Sequence, residues 1–420
     1  MSRGRVLLLG ADGFIGRHIG FALQQAGYDV LACARRPERL ARMGFETLKA
    51  DLRNPVTHKP SFWADHLRDA VGVVNAAGLL TGSDVRFQAV HCDAPQAVYA
   101  GMPEGCRAVL ISAVGIDEAD TAFARYRRAG EAIAAEHNAE ILRPGLVLGD
   151  TSYGGSSLLR GLAACPLRTP VVGDGVQPFN PIHADDLATM VLHLLTLDSE
   201  PQTRVAGGPE CVDQTQMIQA YRTWFGLPEV PVLRIPIAFA NLLGQVGDVM
   251  RLGPISATAV SQLNAGVYAP HDPSLPPARP FSEFHRARPA GTQDLWHARL
   301  YLLLPIVRLT LALLWLASGL LGLLLPPDSF LPLIDANLPD AALIALARAG
   351  GLADLTIALA LLRGWRLRLM AGVQLAMVAG YTLTFTFLAP GLWLLPLGGL
   401  LKNLPILILL VLHLVLEDER

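Results

Sequence analysis

Three glycines near the start of the chain have a spacing that suits a dinucleotide. Gly10, Gly13 and Gly16 form a GxxGxxG sequence between an apolar run and a helical pattern. Glycines here allow a tight turn and a close backbone approach to a pyrophosphate, and the following helix presents free N–H groups and its positive dipole end. The context of strand, turn and helix therefore predicts a nucleotide site. Its predicted residues are Gly10, Asp12, Gly13, Phe14, Ile15 and Gly16.

The residues after the second predicted strand indicate which dinucleotide binds. An NAD site usually has an acidic residue there, which binds the ribose 2′-hydroxyl. Here the position holds Arg35 and Arg36, whose guanidinium groups suit a 2′-phosphate. The alternative is that both are solvated arginines on a loop. We predict NADP(H) in preference to NAD(H), with further contacts from Asp51, Leu52, Asn75, Ala76, Ala77 and Gly78 after the third and fourth predicted strands.

The elements that position these residues follow an alternating pattern. Strand-like runs at residues 6–9, 30–34, 46–49, 71–75, 108–112 and 139–142 alternate with helical segments such as 14–26, 94–100 and 122–136. This order is typical of an α/β Rossmann domain with a doubly wound parallel sheet, which we assign to residues 1–225. Residues 226–298 are richer in Pro and contain a predicted amphipathic helix at 235–250. We interpret them as a substrate or lid region that leads into a juxtamembrane linker.

The last third of the chain is apolar. Four long stretches, residues 301–325, 341–362, 369–388 and 391–415, each have the ~20 residues that a membrane-spanning helix needs. We therefore predict an all-α four-helix transmembrane domain over residues 299–420. The alternative is an unusually apolar soluble helical domain.

Charges beside these stretches predict the orientation. Arg286, Arg288 and Arg299 precede the first stretch, residues 326–340 hold three aspartates and no Lys or Arg, and Arg363, Arg366 and Arg368 lie between the second and third. The N-terminal apolar run is too short for a signal peptide. We expect a multi-pass protein of the cell (inner) membrane, with the N-terminal domain and the C-terminus in the cytoplasm.

Charge and cysteine usage exclude other classes of site. The net charge is −2 and no block of Lys or Arg occurs, which argues against a nucleic-acid partner. The five cysteines are scattered singly, so neither a metal site nor a disulfide framework is predicted.

Several segments resemble known families. GADGFIGRHI, NAAG, ISAVGID, ILRPGLVLGD and NPIHADDLA occur in the order found in atypical short-chain dehydrogenases/reductases, and residues 1–270 are most similar to the branch with the nucleotide-binding accessory subunit of respiratory complex I. Residues 296–420, with WHARLYLLLP and LLKNLP, resemble the DoxX-like membrane family. The second resemblance implies a link to quinone-dependent redox systems.

The first resemblance implies a Ser, Tyr and Lys catalytic set, with Tyr and Lys spaced YxxxK on a helix. Tyr protonates the substrate oxygen, and Lys lowers the pKa of Tyr and holds the nicotinamide ribose. Ser112 occupies the serine position, but Phe123 and Arg127 stand where the family has Tyr and Lys. Tyr126 is the other candidate donor, although its side chain points ~60° away from that of Phe123 around the helix. Ser112, Tyr126 and Arg127 are the candidate catalytic residues, and Arg127 can also bind ribose hydroxyls.

Four ionisable residues fall within the apolar stretches, where charge is costly and usually paired or functional. Asp354 and Lys402 lie at similar predicted depth, which predicts an ion pair or a polar pocket for a quinone or a proton, and Arg308 and Arg348 are competing partners for Asp354.

These features predict a membrane-tethered, NADP(H)-binding oxidoreductase-like protein acting on a membrane-proximal or lipid-soluble substrate such as a quinone. The alternative is a non-catalytic assembly or redox-sensing protein with a structural nucleotide. The lipid bilayer is the expected partner, and a homo-oligomer or a larger membrane complex is compatible with the sequence.

Overall fold

The computed structural model describes residues 2–252, 255–333 and 339–417. The chain divides into two compact units. The nucleotide unit comprises Met1–Ala240 and Thr258–Leu295, and the helical unit comprises Asn241–Ala257 and Trp296–Arg420. Most of residues 226–298 therefore belong to the nucleotide unit.

The nucleotide unit is built on a seven-stranded parallel sheet with the strand order β11-β6-β5-β4-β1-β2-β3. Three short strand pairs, β7 with β10, β8 with β13 and β9 with β12, lie outside this sheet. The strands are β1 Arg5–Leu9, β2 Asp29–Ala34, β3 Glu46–Lys49, β4 Ala70–Asn75, β5 Arg107–Ile111, β6 Glu140–Pro144, β7 Val147–Leu148, β8 Thr169–Val172, β9 Pro178–Phe179, β10 Ile182–His183, β11 Thr203–Ala206, β12 Val212–Asp213 and β13 Val232–Ile235.

Helices connect these strands. They are α1 Phe14–Gln25, α2 Glu38–Arg42, α3 Pro60–Leu67, α4 Asp84–Gln88, α5 Ala94–Ala100, α6 Ala122–Glu136, α7 Gly155–Ala163, α8 Ala184–Thr196, α9 Gln214–Trp224, α10 Ile237–Met250, α11 Ala257–Ala265 and α12 Phe281–Phe284. Four long helices follow, α13 Thr292–Leu324, α14 Asp340–Leu362, α15 Leu367–Leu388 and α16 Asn403–Leu416.

The central strand shows why the sheet is covered on both faces. Val6 and Leu8 of β1 belong to one buried core with α1 and α8, whereas Leu7 and Leu9 belong to a second core with α3 and α5. A strand buried on both faces needs a continuous apolar run, which β1 has. The predicted doubly wound Rossmann domain is confirmed.

The helical unit contains four helices that are long and apolar enough to cross a membrane, as predicted. Among the described residues these are Thr292–Leu324, Asp340–Leu362, Leu367–Phe387 and Gly398–Leu416. Their buried core includes Leu311 and Trp315 of α13, Ile357 and Leu361 of α14, and Leu410 of α16.

The fourth stretch is not the single helix expected over residues 391–415. Pro390–Leu394 and Pro396–Lys402 are 3₁₀ turns, and α16 begins only at Asn403. Proline removes a backbone donor, and Gly398 adopts a φ of +93° that interrupts a helix. A 3₁₀ turn also rises about 2.0 Å per residue, so residue counting misjudges depth in this segment.

The predicted ion pair between Asp354 and Lys402 is therefore wrong. Ser318 Oγ donates a hydrogen bond of 2.6 Å to Asp354 Oδ2. Asp354 is 5% exposed, and Lys402 is exposed. Within residues 2–252, 255–333 and 339–417, neither residue forms an ion pair.

The two arginines within the spans do not pair with Asp354 either. Arg348 donates hydrogen bonds of 2.8 Å to Gly322 O and of 2.8 Å to Leu325 O, at the end of α13. Arg308 donates to Leu361 O at 2.6 Å and to Leu362 O at 3.1 Å, at the end of α14. The last carbonyl groups of a helix have no N–H partner within that helix. Each arginine therefore donates hydrogen bonds to carbonyl groups at the end of a neighbouring helix.

Candidate nucleotide site and an adjoining polar cluster

Residues 10–16 form the tight turn between β1 and α1. Gly10 has a φ of +72°, and a Cβ at this position would lie 2.8 Å from Ala76 O. A Cβ on Gly16 would lie 2.1 Å from Gly10 O, closer than any real contact. Gly13 caps α1 without a side-chain hydrogen bond, so the N–H groups of Phe14, Ile15 and Gly16 point out of the helix start. This cradle fits a pyrophosphate.

Basic side chains follow the second strand. Arg35 and Arg36 are exposed directly after β2. Two further arginines, Arg17 of α1 and Arg39 of α2, lie close enough to interact electrostatically and were not predicted from the sequence. Burial and the charge of Arg39 lower the pKa of Arg17. Asp12 is exposed and its charge acts on Arg17. In the sequence, Arg17 directly follows Gly16, and this position could have indicated a basic side chain near the glycine turn.

The acidic residue after β3 is already engaged. Arg53 Nη2 lies 2.6 Å from Asp51 Oδ2. Hydrogen bonds from Arg53 lower the pKa of Asp51, and the charge of Arg35 contributes. Leu52 is buried beside it. Asp51 therefore stays an anion at neutral pH, held by Arg53.

Asn75 and Arg127 both contact the backbone of the segment after β4. Asn75 Oδ1 accepts a hydrogen bond of 3.1 Å from Ala77 N. Arg127 Nη1 lies 3.5 Å from Ala77 O, and a Cβ on Gly78 would lie 2.7 Å from Arg127 Nη2. Arg127 is 9% exposed, and burial lowers its pKa to about 10. It remains a cation at neutral pH, beside the segment of residues 75–78.

The residues of α6 divide over two faces. Arg127 Cζ lies 5.7 Å from the centroid of the Phe123 ring, so Phe123 shares its face. Tyr126 instead stacks on Phe87 of α4, with ring centroids 5.7 Å apart and an interplanar angle of 5°. His91 meets Phe123 edge-on at 6.1 Å, and burial together with the Arg127 charge lowers the pKa of His91 to about 3. Phe123, which has no proton to donate, faces the Arg127 side.

Ser112 follows β5 and is 5% exposed. Its backbone N donates to Leu142 O at 2.8 Å. Its Oγ is buried and has no hydrogen-bond partner among the residues that the structure describes. A buried hydroxyl without a partner is costly, and a substrate oxygen would satisfy it.

A polar cluster that the sequence did not reveal lies around a cavity of about 10 Å³, the size of one water. Arg160 is buried and donates to Gly149 O at 2.7 Å and to Asp150 O at 3.1 Å. Its guanidinium lies over the rings of Tyr221 and Trp224, 5.5 and 5.2 Å from their centroids. The remaining members are His183, Phe284, His285 and Arg288.

Charged groups in this cluster are paired. Arg288 Nε lies 3.0 Å from Asp150 Oδ1. Burial, with the Arg160 charge, lowers the pKa of His285 to about 4, so its imidazole is neutral. Asp150, His183 and Asp185 place potential metal-ligand atoms within 4.8 Å of one another. However, Arg288 already pairs with Asp150, and His18 contacts Asp185 at 2.7 Å.

The cluster adjoins the start of α1. His18 of α1 contacts Asp185 through Nδ1 and Thr151 Oγ1 through Nε2, the latter at 2.9 Å. A Cβ on Gly149 would lie 3.3 Å from the Phe14 ring. The polar cluster and the glycine turn therefore share one region of the nucleotide unit.

Comparisons with known proteins agree with both units. Residues 6–90 match the NAD dependent epimerase/dehydratase family, and residues 312–411 match the DoxX-like family. A ceramide reductase of Caulobacter vibrioides (strain NA1000 / CB15N) is 30% identical over 209 residues, which are 46% of this chain and 61% of that protein. The chain thus spans about three fifths of the length of this curated relative.

A solved structure with a TM-score above 0.5 shows the same fold. A candidate epimerase from Burkholderia cenocepacia J2315 has a TM-score of 0.51 and 18% identity, with 71% of this chain and 99% of that chain covered. UDP-glucuronic acid 4-epimerase from Bacillus cereus, in complex with UDP-glucuronic acid and NAD, has a TM-score of 0.49 and 15% identity, with 70% and 99% covered. The chain thus joins a Rossmann unit that is similar to the NAD dependent epimerase/dehydratase family to a helical unit that is similar to the DoxX-like family.

Proposed function

We propose that the chain is a membrane-tethered, NADP(H)-dependent oxidoreductase that acts on a lipid-soluble substrate. The observation that carries this proposal is the presence, in one chain, of a tight glycine turn at a helix N-terminus, which suits a pyrophosphate, and of four apolar helices. Arg35 and Arg36 favour the 2′-phosphate of NADP(H).

The substrate class follows from the membrane domain and from the relative. A reductase named for ceramide supports a membrane lipid with a reducible carbonyl group. The resemblance to DoxX-like proteins supports a quinone as the second candidate. Both are lipid-soluble compounds that accept a hydride and a proton.

The residues present assign the remaining roles. Bound NADPH would supply the hydride to the substrate carbon. Arg127, beside Ala77 and Gly78, holds the ribose hydroxyls in place of a lysine. Phe123 cannot give a proton, so the donors are the hydroxyls of Tyr126 and Ser112. With a ketone, the proton goes to the substrate oxygen as its carbon accepts the hydride, which gives an alcohol. A quinone that takes up one hydride and one proton would instead become a hydroquinone with one hydrogen on each oxygen.

Turnover tests these roles. NADPH oxidation by the full chain in detergent is measured with a long-chain lipid ketone and, separately, with a quinone. We expect Tyr126→Phe to lower kcat by about 100-fold without changing NADPH affinity, because one proton donor is typically worth 10²–10⁴. Ser112→Ala should lower kcat less. Full activity of both variants would show that neither hydroxyl is the proton donor. NADPH oxidation with the ketone and none with the quinone would identify the lipid carbonyl as the substrate group.

One observation favours a second candidate function. Phe123 lies on the Arg127 face, where a reductase of this type needs its proton donor. A non-catalytic assembly or redox-sensing protein with a structural nucleotide would keep the nucleotide and lose the donor. Tight NADPH binding with no turnover in either arm would select this function.

We also propose that the protein lies in the inner membrane, with the nucleotide unit and the C-terminus in the cytoplasm. The loop charges support this, because cytoplasmic loops carry the excess of Lys and Arg. Two of the three loop aspartates, Asp328 and Asp340, lie in the described residues, and Asp335 lies outside them. Reporter fusions should place residue 332 outside and residue 365 inside. A cytoplasmic signal at residue 332 would contradict this orientation.

A further inference from the structure

Helix α10 presents three different stripes along its length. At ~100° per residue, Ala240, Gly244 and Gly247 share one side and are buried. Asn241, Gln245 and Asp248 form an exposed polar stripe beside it. The third stripe is apolar yet exposed, with exposed fractions between 41% and 79%, and consists of Phe239, Leu242, Leu243, Val246 and Val249.

The buried stripe already has its packing partner. A Cβ on Gly244 would lie 2.8 Å from Ala257 Cα, and one on Gly247 would lie 1.9 Å from Ile255 O. Asp248 Oδ2 also accepts a hydrogen bond of 3.1 Å from Ala257 N. Residues 255–257 therefore cover the small residues of α10 and leave its apolar stripe exposed.

The end of α10 lies beside the end of α14, one of the four long apolar helices. Arg308 donates to Arg251 O at 3.0 Å and also to Met250 O. The same guanidinium binds Leu361 O and Leu362 O, the last carbonyls of α14. A Cβ on Gly364, in the loop after α14, would lie 3.2 Å from Arg251 Cβ. One cation thus ties the C-termini of α10 and α14 together.

Residues of the kind that anchor proteins at a lipid surface surround this point. Arg251, Arg363, Arg366 and Arg368 are exposed. Trp365 is exposed and lies under the Arg366 guanidinium, 5.4 Å from ring centroid to Cζ. Basic residues attract anionic headgroups, and Trp favours the interface.

We propose that α10 is an interfacial helix whose apolar stripe inserts into the lipid bilayer beside the basic loop between α14 and α15. A helix with an apolar stripe, a polar stripe and adjacent arginines lies in the plane of the interface, with its apolar side chains buried at the boundary of headgroups and acyl chains. The Arg308 contacts fix the depth of its C-terminal end. This assignment does not depend on which substrate the protein uses.

Photo-crosslinking tests the stripe directly. A benzophenone amino acid is placed at Val246 or Leu242, and at Gln245 of the polar stripe as the matched control, in the full chain in nanodiscs of phosphatidylcholine and phosphatidylglycerol. We expect lipid adducts at the two apolar positions on the order of tenfold above the control, because only that stripe reaches the acyl boundary. Equal yields at all three positions, or adducts to a second copy of the chain, would overturn the proposal.

The unmodified chain provides a second measurement that needs no altered residue. A phospholipid with a photoactivatable group near its headgroup is mixed into the same nanodiscs, and labelled peptides are mapped by mass spectrometry. We expect label on the peptide containing Leu242 and Val246 in addition to the four spans. Label on the spans with none on this peptide would overturn the proposal.

Discussion

Replacing Gly16 by alanine is expected to abolish dinucleotide binding. The new Cβ would lie 2.1 Å from Gly10 O and 3.0 Å from Ala11 Cα, and both neighbours are backbone atoms that cannot rotate away. The turn must then open, and the N–H groups at the start of α1 move from the pyrophosphate position. We expect NADPH affinity to fall by about 100-fold or more, which is ~2.8 kcal/mol, in titration calorimetry.

Gly155→Ala is the matched control for this variant. Gly155 also stands at the start of a helix, α7, but a Cβ there would meet no atom within 4 Å. This variant should bind NADPH like the unmodified chain. Undiminished affinity in Gly16→Ala would mean that the turn between β1 and α1 is not the nucleotide site.

Replacing Arg127 by methionine is expected to weaken NADPH binding strongly without unfolding the chain. Arg127 is a buried cation that reaches Ala77 O and touches the Gly78 position, where we place the nicotinamide ribose. Losing hydrogen bonds to a charged group typically costs ~1.5–3 kcal/mol, which predicts a loss of about tenfold to 100-fold in affinity. Methionine keeps the apolar stem against Phe123, so packing changes little.

Two further variants separate ribose binding from general effects. Arg125→Met removes an exposed arginine of the same helix, which pairs with Asp120 at 3.5 Å, and should leave affinity unchanged. Arg127→Lys should retain part of the affinity, because lysine keeps the charge and stands at this position in the short-chain dehydrogenases that the sequence resembles. Wild-type affinity in Arg127→Met, with its thermal stability alone reduced, would limit Arg127 to a structural role.

Local sequence patterns predicted the nucleotide turn because every part of it lies within one strand, turn and helix. Gly10, Gly13 and Gly16 are close in the chain, so their spacing alone defines the cradle. The four apolar spans were predictable for a similar reason, since length and composition determine whether a helix can cross a membrane. Arg127 was identified because it stands where the short-chain dehydrogenases that the sequence resembles have their lysine.

Contacts between distant segments were not predictable in this way. Arg160 of α7 meets the carbonyl of Asp150, in a loop, and the rings of Tyr221 and Trp224 of α9. The intramembrane charges show the same limit. Residue counting paired Asp354 with Lys402. In the structure, Arg308 and Arg348 donate hydrogen bonds to carbonyl groups at helix ends, and the Ser318 hydroxyl donates to Asp354. Helix-end carbonyls need donors, and a sequence does not show which helix ends lie near an arginine.

The most direct test of NADP(H) binding is a paired titration of the detergent-purified chain with NADPH and NADH. We predict at least about tenfold tighter binding of NADPH, ~1.4 kcal/mol, because Arg35 and Arg36 stand exposed where an NAD site has an acidic residue. The double variant Arg35→Ala with Arg36→Ala should lose this preference and keep its affinity for NADH. Equal affinities of the unmodified chain for both nucleotides, or no binding of either, would contradict the account.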